Sequence, residues 1–174
     1  NILHEYKPGL KPVEEMRRLG ITEAVRINSN EGPWPPFPEA IEAMQRALTG
    51  LNRYPDQSYR RIKEAISSTY GVDPSQICVG NGAGSLIRLV AEVVLRPEDE
   101  VLVAWPPYPN YLVARGISGA SIRKIPVEDG ATDLRATINQ ISERSRIVFI
   151  ANPHNPTGSI VPREELDWDF KQIT

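Results

Sequence analysis

Short apolar runs alternate with segments of helical periodicity from Val72 onward, and this alternation constrains the fold more than any other feature of the sequence. The predicted strands are 77–79, 101–104, 122–127 and 146–150, and the predicted helices are 85–95, 111–115, 133–141 and one beginning near Pro162. Strands separated by helices of this length form βαβ units, whose strands are parallel. The sequence therefore predicts an α/β fold of three layers, with helices on both faces of a mainly parallel sheet.

An arm and two helices precede the first predicted strand. Residues 1–37 are rich in proline and show helical periodicity only around Val13–Leu19, so we interpret them as an N-terminal arm. A helix is predicted to begin at Pro38, because proline is favourable in the first turn of a helix. The next helix is predicted to have Ser58 as its N-cap and to end at Gly71 in a left-handed conformation.

The periodicity also predicts which side chains are buried. The residues expected to point inward are Leu86, Leu89, Val90 and Val93 in the first helix between strands, and Leu134, Ile138 and Ile141 in the last. Cys78 lies between Ile77 and Val79, which predicts a buried strand residue. No basic residue flanks Cys78 to activate a thiolate, so a structural role is favoured over a catalytic one.

Composition and charge argue against several classes of function. The chain has 174 residues, of which 40% are hydrophobic, so it can bury an ordinary core. A formal net charge of -2 gives no basic surface for nucleic acid. No apolar run approaches the roughly 18 residues that span a bilayer, and the first residues lack a signal-peptide pattern, so we expect a cytoplasmic protein without membrane contact. Two isolated histidines do not form a metal site.

The first turn at a predicted strand end is Gly80–Ser85, a glycine-rich segment that leads into a helix. Backbone N–H groups and the helix dipole make such a turn suitable for a phosphate. The alternative is a tight turn whose glycines only permit close packing. The glycine spacing also approaches the dinucleotide fingerprint G-x-G-x-x-G, but the third glycine comes one residue early and the acidic residue expected further on is missing. A nicotinamide site is therefore disfavoured, and the chain has no G-x-x-x-x-G-K-S/T motif for a nucleoside triphosphate.

The second and third turns add an aromatic ring and an amide. Three prolines stiffen Trp105–Tyr111 around Tyr108, which favours stacking of its ring on a flat ligand, although such a ring can also simply cover the edge of a sheet. Ala151–Gly158 follows the last predicted strand and contains Asn155, whose amide both donates and accepts hydrogen bonds. Carboxyl ends of parallel strands gather at one edge of a sheet. The three turns together indicate a small, flat, phosphorylated cofactor.

The segment Asn152–Gly158, with the sequence N-P-H-N-P-T-G, resembles the N-P-x-N-P-T-G turn of fold-type I pyridoxal-phosphate aminotransferases. Five further segments resemble, in the same order, elements of the histidinol-phosphate aminotransferases within that family; they are Tyr6–Gly9, Asn28–Glu31, Asn52–Pro55, Gly80–Ala83 and Pro106–Tyr111. The resemblance implies that residues 38–174 form the N-terminal part of the large, pyridoxal-phosphate-binding domain.

The resemblance also implies roles for individual residues. The residues that would bind the cofactor are Gly82, Ala83 and Gly84 on its phosphate, Tyr108 stacked on its pyridine ring and Asn155 on its phenolic oxygen. Tyr54 would reach the phosphate of the neighbouring subunit, which implies a homodimer. Tyr6 and Asn30 would lie near a small amino-acid or phosphate substrate. The implied reaction is amino-group transfer between L-histidinol phosphate and 2-oxoglutarate, with pyridoxal phosphate as the cofactor.

The chain also departs from the pattern of this family. Gly84 stands in place of the usual aspartate, Gly32 in place of asparagine and Pro107 in place of a small hydroxyl residue. The Schiff-base lysine, the aspartate that pairs with the pyridine nitrogen and the arginine for the substrate carboxylate all lie beyond residue 174 in the pattern. We therefore expect about the first half of such an enzyme, truncated before the catalytic lysine and inactive alone.

Two other interpretations remain open at this point. A decarboxylase of a phosphorylated amino acid would keep the same three turns on the same scaffold. A truncated binding or interaction module would use an exposed sheet edge instead of the chemistry of a cofactor. His154 occupies the variable position of the third turn, so the pattern assigns it the role of a spacer.

Overall fold

The structure is a computed structural model that describes residues 12–25, 27 and 29–167, and it contains a parallel three-stranded sheet. Among these, residues up to Cys78 form one compact unit and residues from Val79 onward form another. The first unit contains α1 (Pro12–Leu19), α2 (Pro38–Leu48), α3 (Arg60–Tyr70) and a 3-10 helix at Pro74–Gln76. The second contains α4 (Gly82–Val94), β1 (Glu100–Trp105), a 3-10 helix at Pro109–Leu112, α5 (Val113–Ser118), β2 (Ser121–Pro126), α6 (Leu134–Asn139) and β3 (Ser145–Phe149). Residues 163–167 are also helical, as the sequence predicts.

The strand order is β2-β1-β3, and both strand pairs are parallel. Val101 and Val103 point to one face of β1, where they form a core with Ala91 of α4 and Ala114 of α5. Leu102 points to the opposite face and is completely buried. Because α6 contacts β1, both faces of the sheet are covered. The predicted α/β architecture with a parallel sheet between helices is confirmed.

The predicted strand at 77–79 does not form, and Cys78 is exposed. A strand satisfies its backbone N–H and C=O groups through a neighbouring strand. In the described part of the chain, the only strands that pair are β1, β2 and β3. Both the strand and the buried cysteine were therefore wrong predictions for this structure.

The inward face of α4 was also predicted wrongly. Leu89, Val90 and Val93 are exposed, with Val93 84% accessible, whereas Ala91 is completely buried. Apolar residues cover more than half of the circumference of this helix, so the periodicity could not identify which part of that arc packs. The residue of α4 that packs in the core beside Val101 and Val103 is the small Ala91.

Helix ends show further differences from the sequence predictions. The carboxylate of Asp56, and not the hydroxyl of Ser58, accepts hydrogen bonds from the backbone before α3, from Ser58 N at 2.9 Å and Arg60 N at 3.1 Å. Ser58 also donates its hydroxyl hydrogen to Asp56, and these bonds lower the pKa of that carboxyl. The predicted end of α3 is confirmed, because Gly71 has φ +69°. α6 ends at Asn139, so Ile141 lies beyond it and is exposed, while Leu134 is buried.

Charged side chains meet at the amino end of β1, opposite the edge where the turns lie. Glu100 is buried, and its carboxylate lies 2.8 Å from Arg123 Nε and 3.6 Å from Arg144 Nη2. The guanidinium of Arg123 holds the pKa of Glu100 below its usual value, although burial opposes the shift. Asp99 forms a second ion pair with Arg146 at 3.2 Å. These pairs fix the start of the central strand.

None of the helices in the described ranges is long and apolar enough to cross a membrane.

Candidate active site

The three glycines of the first turn are required for different structural reasons. Gly80 packs closely, because a Cβ there would lie 2.8 Å from both Leu86 Cδ2 and Ser85 Oγ. Gly82 begins α4 with φ +74°, and a Cβ there would meet nothing within 4 Å. The close-packing interpretation therefore applies to Gly80, whereas the space over Gly82 is open. The first-turn N–H groups, which include those of Ala83 and Gly84, have no acceptor within the helix.

The third glycine of this turn makes room for a residue of the second turn. An ideal Cβ on Gly84 would lie only 2.7 Å from Nδ2 of Asn110. That Nδ2 donates a hydrogen bond to the Tyr108 hydroxyl at 2.8 Å. The absence of a side chain at Gly84 thus lets the second turn approach the first.

Aromatic rings join the second turn to the strand beside it. The rings of Tyr108 and Tyr111 meet edge to face, with centroids 5.5 Å apart. Tyr111 in turn stacks on Phe149 of β3 at 4.4 Å and an interplanar angle of 3°. Burial raises the pKa of Tyr111, so its phenol stays neutral at physiological pH. The orientation of Tyr108 is therefore set both by a hydrogen bond and by a ring contact.

The third turn is held by its own side chains. Asn152 donates from Nδ2 to Val161 O at 3.1 Å and accepts from Val161 N at 3.0 Å, which replaces a pair of backbone hydrogen bonds. The hydroxyl of Ser159 donates to Gly130 O at 2.6 Å, and the hydroxyl of Thr157 donates to the same carbonyl. The peptide bonds that precede Pro153 and Pro156 are cis, as is the bond that precedes Pro106 in the second turn. In contrast, the Asn155 amide forms no hydrogen bond within the described part of the chain.

His154 connects the third turn to the second. Its side chain is only 4% exposed. Its Nε2 lies 3.0 Å from the backbone carbonyl of Pro106, and its Nδ1 lies 3.3 Å from Oγ1 of Thr132. The role of spacer inferred from the sequence is therefore incomplete, because His154 occupies a buried position between two turns.

The family described as aminotransferase class I and II matches residues 22–168 of the chain. The chain belongs to this family. Among curated relatives of this aminotransferase chain, the histidinol-phosphate aminotransferase of Moorella thermoacetica is 38% identical over 169 residues, which cover 97% of the chain and 44% of the relative. The histidinol-phosphate aminotransferase of Akkermansia muciniphila is 40% identical over 169 residues, which cover 95% of the chain and 46% of the relative. The chain thus spans a little under half the length of these relatives.

Solved aminotransferase structures share the fold. The histidinol-phosphate aminotransferase of Sinorhizobium meliloti, solved in complex with pyridoxal-5'-phosphate, superposes with a TM-score of 0.85 and 25% identity over 97% of this chain and 46% of that one. N-succinyldiaminopimelate aminotransferase of Mycobacterium tuberculosis gives a TM-score of 0.77 and 28% identity over 99% of this chain and 48% of that one. The fold is therefore that of part of an aminotransferase.

The predicted site residues lie in different parts of the structure. The residues that belong to the unit from Val79 onward are Gly82, Ala83, Gly84, Tyr108 and Asn155, and they lie in three turns of which the second contacts both the first and the third. Tyr54 and Asn30 belong to the other unit; Tyr54 is 96% exposed, and Asn30 has φ +54° in an exposed turn. Tyr6 lies outside the described residues.

Two residues that connect the turns were missed by sequence reasoning. Asn110 and His154 both stand at variable positions of recognisable motifs, so the motifs themselves carry no signal for them. Gly84 in place of the usual aspartate indicates that a side chain is missing from the first turn, but the sequence alone does not point to Asn110. No group of three or more potential metal ligands occurs in the described ranges.

Proposed function

We propose that this chain is the N-terminal part of a pyridoxal-phosphate-dependent aminotransferase that acts on L-histidinol phosphate with 2-oxoglutarate. The observation that carries the proposal is that the second turn contacts both of the others. These contacts bring together an anion-binding helix end, an oriented aromatic ring and an amide. The similarity to curated histidinol-phosphate aminotransferases supports this substrate.

The residues present fit pyridoxal phosphate. The open space above Gly82 lets a phosphate approach the backbone N–H groups of the first helical turn. The Tyr108 ring is fixed but only partly buried, so one face can receive a heteroaromatic ring. The uncommitted amide of Asn155 supplies a donor for a phenolic oxygen. These three features match the phosphate, ring and hydroxyl of the cofactor.

In the proposed site, each residue binds or orients one part of the cofactor. Gly82, Ala83 and Gly84 hold the phosphate, Tyr108 fixes the plane of the ring, and Asn155 donates a hydrogen bond to its phenolic oxygen. Bound pyridoxal phosphate would supply the electron sink that amino-group transfer requires. Tyr111, which stacks on Phe149, contacts the Tyr108 ring edge to face and so supports it from one side.

The roles of residues in the other unit are also part of the proposal. Tyr54 would reach the cofactor phosphate of a neighbouring subunit in a homodimer, which agrees with its almost complete exposure in a single chain. Asn30 and Tyr6 would lie near the substrate. We assign residues 1–37 to an arm and residues 38–174 to the large domain.

The described lysines, Lys63 and Lys124, belong to α3 and β2 and not to the three turns, although Lys124 contacts the first residue of the second turn. Lys63 lies in α3, and Nζ of Lys124 lies 3.8 Å from the centroid of the Trp105 ring, where the cation contacts an aromatic face. The resemblance places the catalytic lysine beyond residue 174 of the family pattern. We expect the 174-residue polypeptide to bind pyridoxal phosphate without transferring an amino group.

Two assays test the proposal. Titration of the polypeptide with pyridoxal phosphate should show saturable binding that inorganic phosphate displaces, and borohydride reduction should leave no lysine adduct at a specific site. The full-length protein should transfer the amino group of histidinol phosphate and should not decarboxylate threonine phosphate. Absence of binding to both pyridoxal phosphate and inorganic phosphate at millimolar concentration, together with a defined oligomer, would favour an interaction module instead. A stoichiometric adduct at a single lysine would show that the chain already contains the reactive residue.

A further inference from the structure

The backbone and the side chain of His154 are both fixed in the structure. Its N–H donates to Ser159 O at 2.7 Å, and its carbonyl accepts from Gly158 N at 2.7 Å, so the third turn closes on itself. The imidazole then extends away from this turn to the carbonyl of Pro106, which is 48 positions earlier in the chain. The His154 side chain therefore links the turn that follows β3 to the residue that follows β1 through one hydrogen bond.

The partners of the imidazole determine its tautomer. A backbone carbonyl can only accept a hydrogen bond, so Nε2 must carry the proton that faces Pro106 O. In the neutral ring, Nδ1 is then an acceptor, and the hydroxyl of Thr132 is its donor. Both nitrogens of this buried ring are satisfied in a single tautomer, which gives the ring one orientation.

The two ends of this bond are adjacent to the proposed cofactor contacts. Pro106 precedes Tyr108 by two residues, and His154 precedes Asn155 by one. If the distance between the second and third turns changed, the Tyr108 ring would therefore move relative to the Asn155 amide, although both must contact the same flat ligand. A displacement of about 1 Å is enough to weaken a preorganised site.

We propose that His154 is a positioning residue, whose Nε2–H bond to Pro106 O holds the Tyr108 turn and the Asn155 turn at the separation that pyridoxal phosphate requires. This inference rests on the proposed function, since pyridoxal phosphate is the ligand that both turns would contact. The alternative is that the buried His154 only stabilises the fold and has no specific effect on ligand binding. The positioning role and the purely stabilising role can be distinguished by their ligands. Inorganic phosphate needs only the glycine turn, whereas pyridoxal phosphate needs all three turns.

The first test is the tautomer of His154 in the 174-residue chain. Side-chain nitrogen NMR spectra should show the Nε2–H tautomer, with a proton that exchanges slowly with solvent, and the signal should be assigned by its loss in His154→Gln. The Nδ1–H tautomer or a rapidly exchanging proton would overturn the proposal.

The second test compares substitutions that keep different nitrogens of the ring. His154→Gln places an amide N–H near the position of Nε2, whereas His154→Asn reaches only the position of Nδ1. We expect His154→Ala and His154→Asn to weaken pyridoxal phosphate binding about five- to tenfold, as loss of one hydrogen bond would, and His154→Gln to restore most of it. Inorganic phosphate binding should change by less than about twofold in all three. Thr132→Val, which leaves the Pro106 bond in place, should have a smaller effect than His154→Ala.

A matched control measures general destabilisation. Ser118 donates to Ala114 O at 2.8 Å and accepts from Ala120 N at 3.1 Å. Ser118→Ala therefore removes one hydrogen bond within α5 and one to the residue just before β2, away from the three turns. It should leave both affinities unchanged. Equal loss of pyridoxal phosphate and inorganic phosphate binding in His154→Ala would indicate a purely structural role, and no loss would also overturn the proposal. If the unsubstituted chain does not bind pyridoxal phosphate at all, the proposed function fails; if it binds and the His154 variants bind equally well, only this inference fails.

Discussion

The contact between Gly84 and Asn110 gives a prediction that can be calculated from the structure. A Cβ on Gly84 would lie 2.7 Å from Asn110 Nδ2, and real Cβ atoms essentially never come within 3.0 Å of another heavy atom. In Gly84→Ala, Asn110 must therefore rotate away and give up its 2.8 Å hydrogen bond to the Tyr108 hydroxyl. Loss of that bond should cost about 1 kcal/mol.

The same substitution also has a favourable effect that offsets this cost. Replacement of glycine by alanine in a helix gains up to about 1 kcal/mol through the unfolded chain and helix propensity, and somewhat less in the first turn, where Gly84 lies. We therefore expect Gly84→Ala to change the free energy of unfolding by about 0.5 kcal/mol or less. In the Asn110→Ala background the clash is gone, and the same substitution should stabilise by about 0.5 to 1 kcal/mol. The coupling energy of the two positions is then about 1 kcal/mol.

Urea denaturation of the four proteins in this double-mutant cycle measures the coupling, with near-ultraviolet circular dichroism as the probe of the tyrosines. Gly116 is the matched control, because it lies in helix α5 and a Cβ there would meet nothing within 4 Å. Gly116→Ala should stabilise the chain equally whether Asn110 or alanine is present. Additivity of Gly84→Ala and Asn110→Ala within about 0.3 kcal/mol would refute the steric reasoning. The variant Gly84→Asp, which restores the usual residue of the family, should show the same dependence on Asn110.

Three further predictions concern individual side chains. The lowered pKa of Glu100 means that its pairing with Arg123 stabilises the fold above about pH 4.3 and is lost as pH falls through that lowered pKa. Glu100→Gln should cost about 1 kcal/mol at pH 7 and flatten the acid side of the stability profile, and an unchanged acid side would contradict this. Asp133 caps α6 by accepting from Ala136 N at 2.8 Å, so Asp133→Ala should lower the free energy of unfolding by about 1 kcal/mol while Asp133→Asn stays near the original value in the same urea titration. Asn152→Asp can accept from the Val161 N–H but cannot donate to its carbonyl, so hydrogen exchange at the Val161 amide should remain slower than in Asn152→Ala.

β1 and β3 could be predicted from the sequence because each contains a short apolar run next to turn-forming residues, whereas β2 carries Arg123 and Lys124 between its two isoleucines. β1, β2 and β3 begin and end within one or two residues of the predicted ranges. The predictions that failed were those in which the local sequence pattern is compatible with more than one structure. Residues 77–79 have an apolar run but no partner strand among those described, and α4 has apolar residues on several faces, so packing alone selects the buried one.

The turns of the candidate site could likewise be predicted, but the bonds that join them could not. Glycine and proline determine local backbone geometry, and their effect can be inferred from a few adjacent residues. The bond from His154 to Pro106 joins positions 48 residues apart, and the contact of Asn110 with Gly84 depends on how two loops approach. Such contacts form only when the sheet has folded. The sequence motifs show only that positions 110 and 154 are variable within the family pattern.

The departure at Gly84 acquires a different meaning once Asn110 is placed beside it. Taken alone, the loss of the usual aspartate removes a polar side chain from the phosphate turn. In the structure, the amide of Asn110 occupies that space and brings a polar group back to it from the second turn. The polar group now has a second effect. An aspartate at position 84 would act on the first turn only, whereas Asn110 also orients Tyr108 in the second turn. If this is correct, Asn110→Ala should weaken pyridoxal phosphate binding more than inorganic phosphate binding, even though the residue lies against the phosphate turn.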